Sequence, residues 1–224
     1  MAENQVNTLD ALAVAIHAYN VNTKVVKHHD GSGLIPNAEY VRDYFGLNTT
    51  RITPDFLISP DLREQAETVR TWFEHSVTMA LLTRGLIAGF HNDLAELVKR
   101  DTISPQRFGV LVWAPKLYHA QVARDEVREA VVQISYRSRW IGKEKQPVTV
   151  NFTLLEKRWH RDFNSWTAFG HDEHMNLVRF MTKHEHLCAT GTVTGRVKTH
   201  GTERYHDNGK ITTLNFVKAV CKTE

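Results

Sequence analysis

A change in the spacing of apolar residues divides this 224-residue chain into two parts. Up to about residue 125, apolar side chains recur at the intervals of amphipathic helices, as Leu9, Leu12 and Ile16 do. From Val131 the helical spacing is lost, and from Val148 to Leu154 apolar and polar residues alternate one by one, the period of a half-buried strand. The chain is therefore predicted to be α+β, with a helical domain over residues 1–130 and a β domain over 131–224.

Capping signals predict where the helices begin and end. Asn7 or Thr8 can cap a first helix over residues 8–20, and Ser59-Pro60 is suited to begin a helix that runs to about residue 83. A further helix is predicted over 88–99 with Phe90 among its buried residues, and Pro115 predicts a break or a new helix.

Four more strands are predicted after the one that contains residues 148–154. They cover residues 166–171, 176–182, 190–200 and 210–220, and they are separated by turn-forming segments such as Asp172-Glu173-His174 and Asn208-Gly209. Five strands at this spacing are typical of a small closed or partly closed barrel.

The basic residues belong mainly to the β domain. Residues 1–137 contain 14 Lys and Arg against 16 Asp and Glu, a net charge of −2, whereas residues 138–224 contain 14 against 9, a net charge of +5. A polyanion would therefore be held by the C-terminal part of the chain. Aromatic rings lie among these cations, and a surface holding both can bind an unpaired strand, since rings stack on bases and cations follow phosphates. For any single ring, burial in the core explains the residue equally well.

Two stretches of the β domain are similar to a known family of modules. The runs GTVTGRVKTH at 191–200 and TTLNFV at 212–217 resemble the closing hairpin of OB-fold single-stranded nucleic-acid-binding modules from bacteriophage and plasmid replication-associated proteins. The run WIGKEKQPVTVNFTLLEKRW at 140–159 resembles their long first strand, preceded by a basic turn that contains glycine. The resemblance covers about the last third of the chain. Only about eight residues, KHEHLCAT, separate the third and fourth strands, so the helix that many OB-folds place there is missing.

The resemblance implies a five-stranded OB-like β-barrel that binds an oligonucleotide across strands two and three and the loops beside them. The face of strands two and three would draw on Trp166, Phe169, Arg179 and Phe180. The loop between the first two strands would add Lys157, Arg158, Trp159, Arg161 and Phe163. The fourth strand and the loop after it would add Lys198, Arg204, Tyr205 and Lys210.

Catalytic and metal-binding patterns are weak in this sequence. The run HDEH at 171–174 has imidazole and carboxylate groups but not the spacing of the helical zinc signature, and Cys188 and Cys221 have no partner at CxxC spacing. Neither a GxSxG elbow nor a phosphate-binding GxxxxGK[ST] loop is present. The protein is therefore predicted not to be an enzyme. No metal, cofactor or catalytic residue is expected.

The expected function is binding of single-stranded DNA with little sequence preference, in replication, recombination or transcription, in a bacteriophage. With no secretory signal and no run of eighteen apolar residues, the predicted location is the cytoplasm, that of the host for a viral protein, without membrane contact. Two alternatives stay open: a duplex DNA-binding regulator that uses the segment 36–47 as half of a helix-turn-helix, and a protein-interaction adaptor. The helical domain could recruit a replication or transcription protein or a second copy of the chain. The choice between DNA and RNA is also open.

Overall fold

A computed structural model describes residues 5–47, 56–82, 89–203 and 209–221, without the side chains of 77–82, 203 and 219–221. The chain forms two compact units, Met1–Val122 and Ala123–Glu224. The boundary after Val122 falls inside a helix, Ala114–Ser135. The predicted boundary, after residue 130, lies in the same helix. The prediction that helical spacing ends at Val131 is wrong, because Val127, Val131 and Ile134 still recur at helical intervals and all lie in this helix.

The N-terminal unit is made of helices, with one short pair of strands. Its elements are β1 (Val6–Asn7), α1 (Thr8–Asn22), α2 (Asn37–Tyr44), α3 (Pro60–Leu82), α4 (Gly89–Val98), β2 (Thr102–Ile103), α5 (Phe108–Leu111) and the first part of α6 (Ala114–Ser135). Pro115 thus stands in the first turn of a new helix, which confirms one of the two predicted outcomes.

Helix α1 lies at the centre of this unit. Its residues Ala11 to Ile16 are all buried, so α1 is covered on every side rather than on the single face that its leucine spacing predicts. The predicted caps are confirmed: the side chain of Asn7 accepts a hydrogen bond from the Asp10 amide at 3.0 Å, and that of Ser59 accepts one from the Leu62 amide at 3.2 Å. Phe90 of α4 is 44% exposed, which contradicts the prediction that it is buried.

The C-terminal unit contains the five predicted strands. They are β3 (Pro147–His160), β4 (Ser165–His171), β5 (Leu177–Thr182), β6 (Thr190–Glu203) and β7 (Gly209–Cys221). β3 pairs antiparallel with β4 and with β6, β4 pairs antiparallel with β5, β5 pairs parallel with β7, and β7 pairs antiparallel with β6. The pairings close into a ring in the order β3-β4-β5-β7-β6, so each strand has two hydrogen-bonded neighbours.

One set of alternating side chains fills the interior of this five-stranded sheet. Val150 and Phe152 of β3 meet Phe180 of β5 and Leu214 of β7, and the rings of Phe152 and Phe180 pack edge to face with centroids 5.1 Å apart. A bulge between Leu154 and Glu156 shifts the register of β3 against β4. A bulge bends its strand, so the parts of β3 before and after it differ in direction.

The last turns of α6 pack against the sheet on its other face. Val131 and Ile134 are buried with Phe169 of β4, Leu177 of β5 and Ile211 of β7. By strand alternation these three sheet residues lie on the opposite face from Ala168, Val178 and the other interior residues. Within the described ranges, no helix combines the length and the apolar character that a membrane span requires.

Candidate nucleic-acid interface

Trp159 and Trp166 form a pair near the end of the β3–β4 ladder, outside the cluster of core residues. Trp159 is the direct partner of Trp166 in the antiparallel register, and the ring centroids lie 5.0 Å apart with a tilt of 55°. Direct partners project on the same face of a sheet, which is why the pair forms. Trp159 remains 43% exposed, whereas Trp166 is half-buried.

Lys157 covers Trp166. It projects on the same face as Trp159, two residues along the strand, and its Nζ lies 4.4 Å from the centre of the Trp166 ring. The same ammonium group donates a hydrogen bond to the backbone oxygen of Glu185, in the loop between β5 and β6. Lys157 therefore holds this loop against the tryptophans, and the ring left open to solvent is that of Trp159.

The loop between β3 and β4 is shorter than predicted. It contains only residues 161–164, because Lys157, Arg158 and Trp159 belong to β3. Arg158 points to the face opposite Trp159 and pairs with Glu156 at 3.1 Å. The remaining loop is a single 3-10 turn that presents an exposed Arg161 and a Phe163 that is 68% exposed.

The predicted binding face of strands two and three mixes the two faces of the sheet. The register pairs Trp166 with Thr182 and Phe169 with Arg179, so these two pairs project in opposite directions. Phe180 is fully buried in the interior, and Phe169 is 8% exposed beneath α6, so neither ring is available for stacking. Both are corrections to the predicted site. Arg179 is half-buried.

A second cluster of an aromatic ring and basic groups was not predicted as part of the site. Trp140, 48% exposed, stacks on His200 with centroids 5.4 Å apart and an interplanar angle of 12°, and its indole N–H donates to the Gly201 oxygen at 3.1 Å. The Nζ of Lys210 lies 5.1 Å from the Trp140 ring. The sequence feature that points to this cluster is the basic segment around Gly142, which enters the prediction only through the resemblance.

The other predicted residues are distributed along β6 and the hairpin that follows it. Lys198 is exposed on β6, at a point where the register against β7 shifts. Lys210 begins β7 and contributes to the Trp140 cluster. Arg204 and Tyr205 lie outside the described residues.

The HDEH segment forms a turn between β4 and β5. The buried carboxylate of Asp172 accepts hydrogen bonds from the backbone amides of His174 and Asn176 and from the Asn176 side chain, all between 2.8 and 2.9 Å. The carboxylate thus organises the turn. In the described part of the chain, no three His, Cys, Asp or Glu side chains come together as a metal site would require.

Comparison of the chain with protein-family models, with curated proteins and with solved structures finds no match.

Proposed function

We propose that the C-terminal unit is an OB-like module that binds single-stranded DNA with little sequence preference. The order of strand pairing supports the fold. β3, β4 and β5 follow one another through short connections, and β6 returns to lie beside β3, which is the Greek-key order. A fifth strand, β7, then joins β5 to β6, and a five-stranded Greek-key barrel is the architecture of OB modules.

The observation that carries the proposal is the exposure of Trp159 beside Trp166 and Arg161. A tryptophan with nearly half of its surface in water exposes a large apolar area, and a ligand that covers this area gains binding free energy. The contact with Trp166 restricts the Trp159 ring, so little conformational freedom would be lost when a base stacks on the exposed part of that ring. Arg161 and Phe163 follow within four residues, so a cation and a second ring lie next along the chain.

The chemistry of this cluster favours an unpaired strand. In a duplex both faces of each base are already stacked, so an exposed indole face gains contact only with bases that are free of their neighbours. Stacking also discriminates little between bases, because every base has a π face. The protein would hold or present a single strand in replication, recombination or transcription, in the cytoplasm of its host if it is viral.

Fluorescence anisotropy over a salt series tests the proposal. The same labelled sequence is offered as single-stranded DNA, single-stranded RNA and duplex DNA. Tighter binding of the single strands is expected, with Trp159→Ala weakening it. The matched control is Trp113→Phe, because Trp113 also lies near a lysine, Lys116, with Nζ 4.9 Å from the ring centre, but belongs to the N-terminal unit.

The alternatives give different results in the same experiment. Preference for a particular duplex would favour a DNA-binding regulator that reads its site through the helical unit. Absence of binding to all three nucleic acids would leave the protein-interaction adaptor.

A further inference from the structure

Phe216 is an exposed aromatic residue on a strand, with a backbone conformation that phenylalanine rarely adopts. It is 81% exposed, and its φ of 51° lies in the left-handed region, where a bulky residue is a genuine outlier. Such a conformation is costly, and residues held in it concentrate at ligand-binding sites.

A bulge in the hairpin of β6 and β7 produces this conformation. Thr194 pairs with Lys218 and Arg196 with Asn215, so Phe216 and Val217 on β7 lie opposite the single residue Gly195 on β6. Gly195 permits the close approach, since a Cβ there would come within 3.0 Å of the Asn215 oxygen and 3.1 Å of the Val217 side chain. Val217 turns toward the interior cluster, and Phe216 is left in solvent.

Cations lie on both sides of the exposed ring. Arg196, the partner of Asn215, and Lys218, two residues after Phe216, are both exposed. Among the described residues, neither cation forms an ion pair. An aromatic ring between two such cations has the chemistry of the Trp159 cluster.

The order of the strands relates Phe216 to the tryptophan pair, because β5 lies between β4 and β7. Trp159 pairs with Trp166, and Trp166 pairs with Thr182. The parallel register of β5 and β7 ends at Phe180 and Leu214, and two further residues on each strand lead to Thr182 and Phe216. β4 and β5 are therefore the strands that lie between Trp159 on β3 and Phe216 on β7.

The alternative route, across the outer face of β4 and β5 toward Trp140, is partly closed. Phe169, Leu177 and Ile211 on that face are buried under α6. Among the described residues, the cluster buried with α6 does not include Trp166, Thr182 or Phe216.

From this geometry we propose that Phe216, flanked by Arg196 and Lys218, is a second base-stacking position, and that a single strand runs from Trp159 across the end of β5 to β7. The inference rests on the proposed function and adds the path of the strand.

The test is Phe216→Asn, with oligothymidines of about 4 and about 12 nucleotides, lengths within the range that one OB module covers. Asparagine tolerates a positive φ, so the melting temperature should stay the same or rise. Affinity for the longer oligomer should fall by about 5- to 150-fold, the range expected for one stacked base, and Phe216→Trp should retain it. The shorter oligomer, which can bind at Trp159 alone, should be affected less.

Met175→Asn is the matched control. Met175 is also exposed, at 38%, and has a φ of 62°, but it lies in the turn at the opposite end of β4 and β5. This variant should bind both oligomers like the wild type.

Three results would overturn the inference. If the wild type binds oligothymidine and Phe216→Asn binds it equally well, the path is wrong while the proposed function stands. If the substitution instead converts a dimer to a monomer by light scattering without weakening binding, Phe216 belongs to an interface between copies. If the wild type binds no single strand, the proposed function and this inference both fail.

Discussion

At the scale of single residues, Trp159 and Trp166 are direct strand partners but have different environments. Trp159 is 43% exposed, whereas Trp166 is half-buried and contacts both the Trp159 ring and the ammonium group of Lys157. Substitution should therefore affect binding at the first position and folding at the second.

Trp159→Ala is predicted to weaken oligonucleotide binding by about 1–3 kcal/mol, because a base loses its stacking surface. Its melting temperature should change little. Trp166→Ala should instead lower the free energy of unfolding by about 1–3 kcal/mol, through loss of the aromatic pair and of the cation–π contact. Anisotropy titrations and thermal melts of both variants check this, and a large stability loss in Trp159→Ala together with unchanged binding per folded molecule would contradict it.

Arg161 and Arg158 should also differ. Arg161 is exposed in the turn, whereas Arg158 is paired with Glu156 on the other face of β3. Arg161→Glu should flatten the slope of log K against log salt by about 0.7, the value for one phosphate contact with a single strand. Arg158→Glu is the matched control and should change the slope less. Equal slopes for Arg161→Glu and the wild type would remove this turn from the binding path.

At the scale of elements, the last turns of α6 cover Phe169, Leu177 and Ile211 on the face of the sheet opposite the interior. Sequence alternation was sufficient to place the five strands, since each has apolar residues at period two. It could not show that Phe169 and Leu177, on the opposite face from the interior, are also buried, because their cover comes from Val131 and Ile134 in a helix before the first strand. For the same reason Phe169 was assigned to the binding face.

A fragment that begins at Ala123 is therefore predicted to fold, whereas one that begins at residue 136 should be much less stable. The shorter fragment exposes Phe169, Leu177 and Ile211, and each large apolar side chain contributes about 1.5–3 kcal/mol when buried. Circular dichroism melts of the two fragments make the comparison. Equal melting temperatures would show that α6 does not stabilise the sheet.

Gly209, the first residue of β7, should not tolerate replacement by a residue that has a Cβ. A Cβ at Gly209 would lie 2.3 Å from the Ser135 Oγ and 2.7 Å from its Cβ, so Gly209→Ala should destabilise the C-terminal unit by about 1–3 kcal/mol. Gly201→Ala in the same hairpin is the control, because its nearest contact would be 3.8 Å away, and this variant should melt close to the wild type. Chemical denaturation of both variants gives the difference, and similar midpoints would contradict the packing of α6 on β7.

At the scale of the whole molecule, the two units differ in charge and in aromatic exposure. The segment from 138 to 224 carries +5 and presents Trp140, Trp159, Phe163 and Phe216 to solvent. The charge division and the positions of the five strands could be predicted from sequence. The pairing of particular residues could not, because it depends on register: a shift of one residue would reverse the face of every side chain in β4. Trp140 and Phe216 were missed because only the folded hairpin places Lys210 beside the first and Arg196 beside the second.

The central claim is that a single strand stacks on Trp159, and the most direct measurement is quenching of tryptophan fluorescence by oligothymidine. Wild type, Trp159→Phe and Trp113→Phe are titrated in parallel, since the chain has five tryptophans and each variant removes one. Quenching should fall clearly in Trp159→Phe and should persist in Trp113→Phe. Full quenching in Trp159→Phe, with loss of quenching in Trp113→Phe, would contradict the account and would place the ligand on the helical unit.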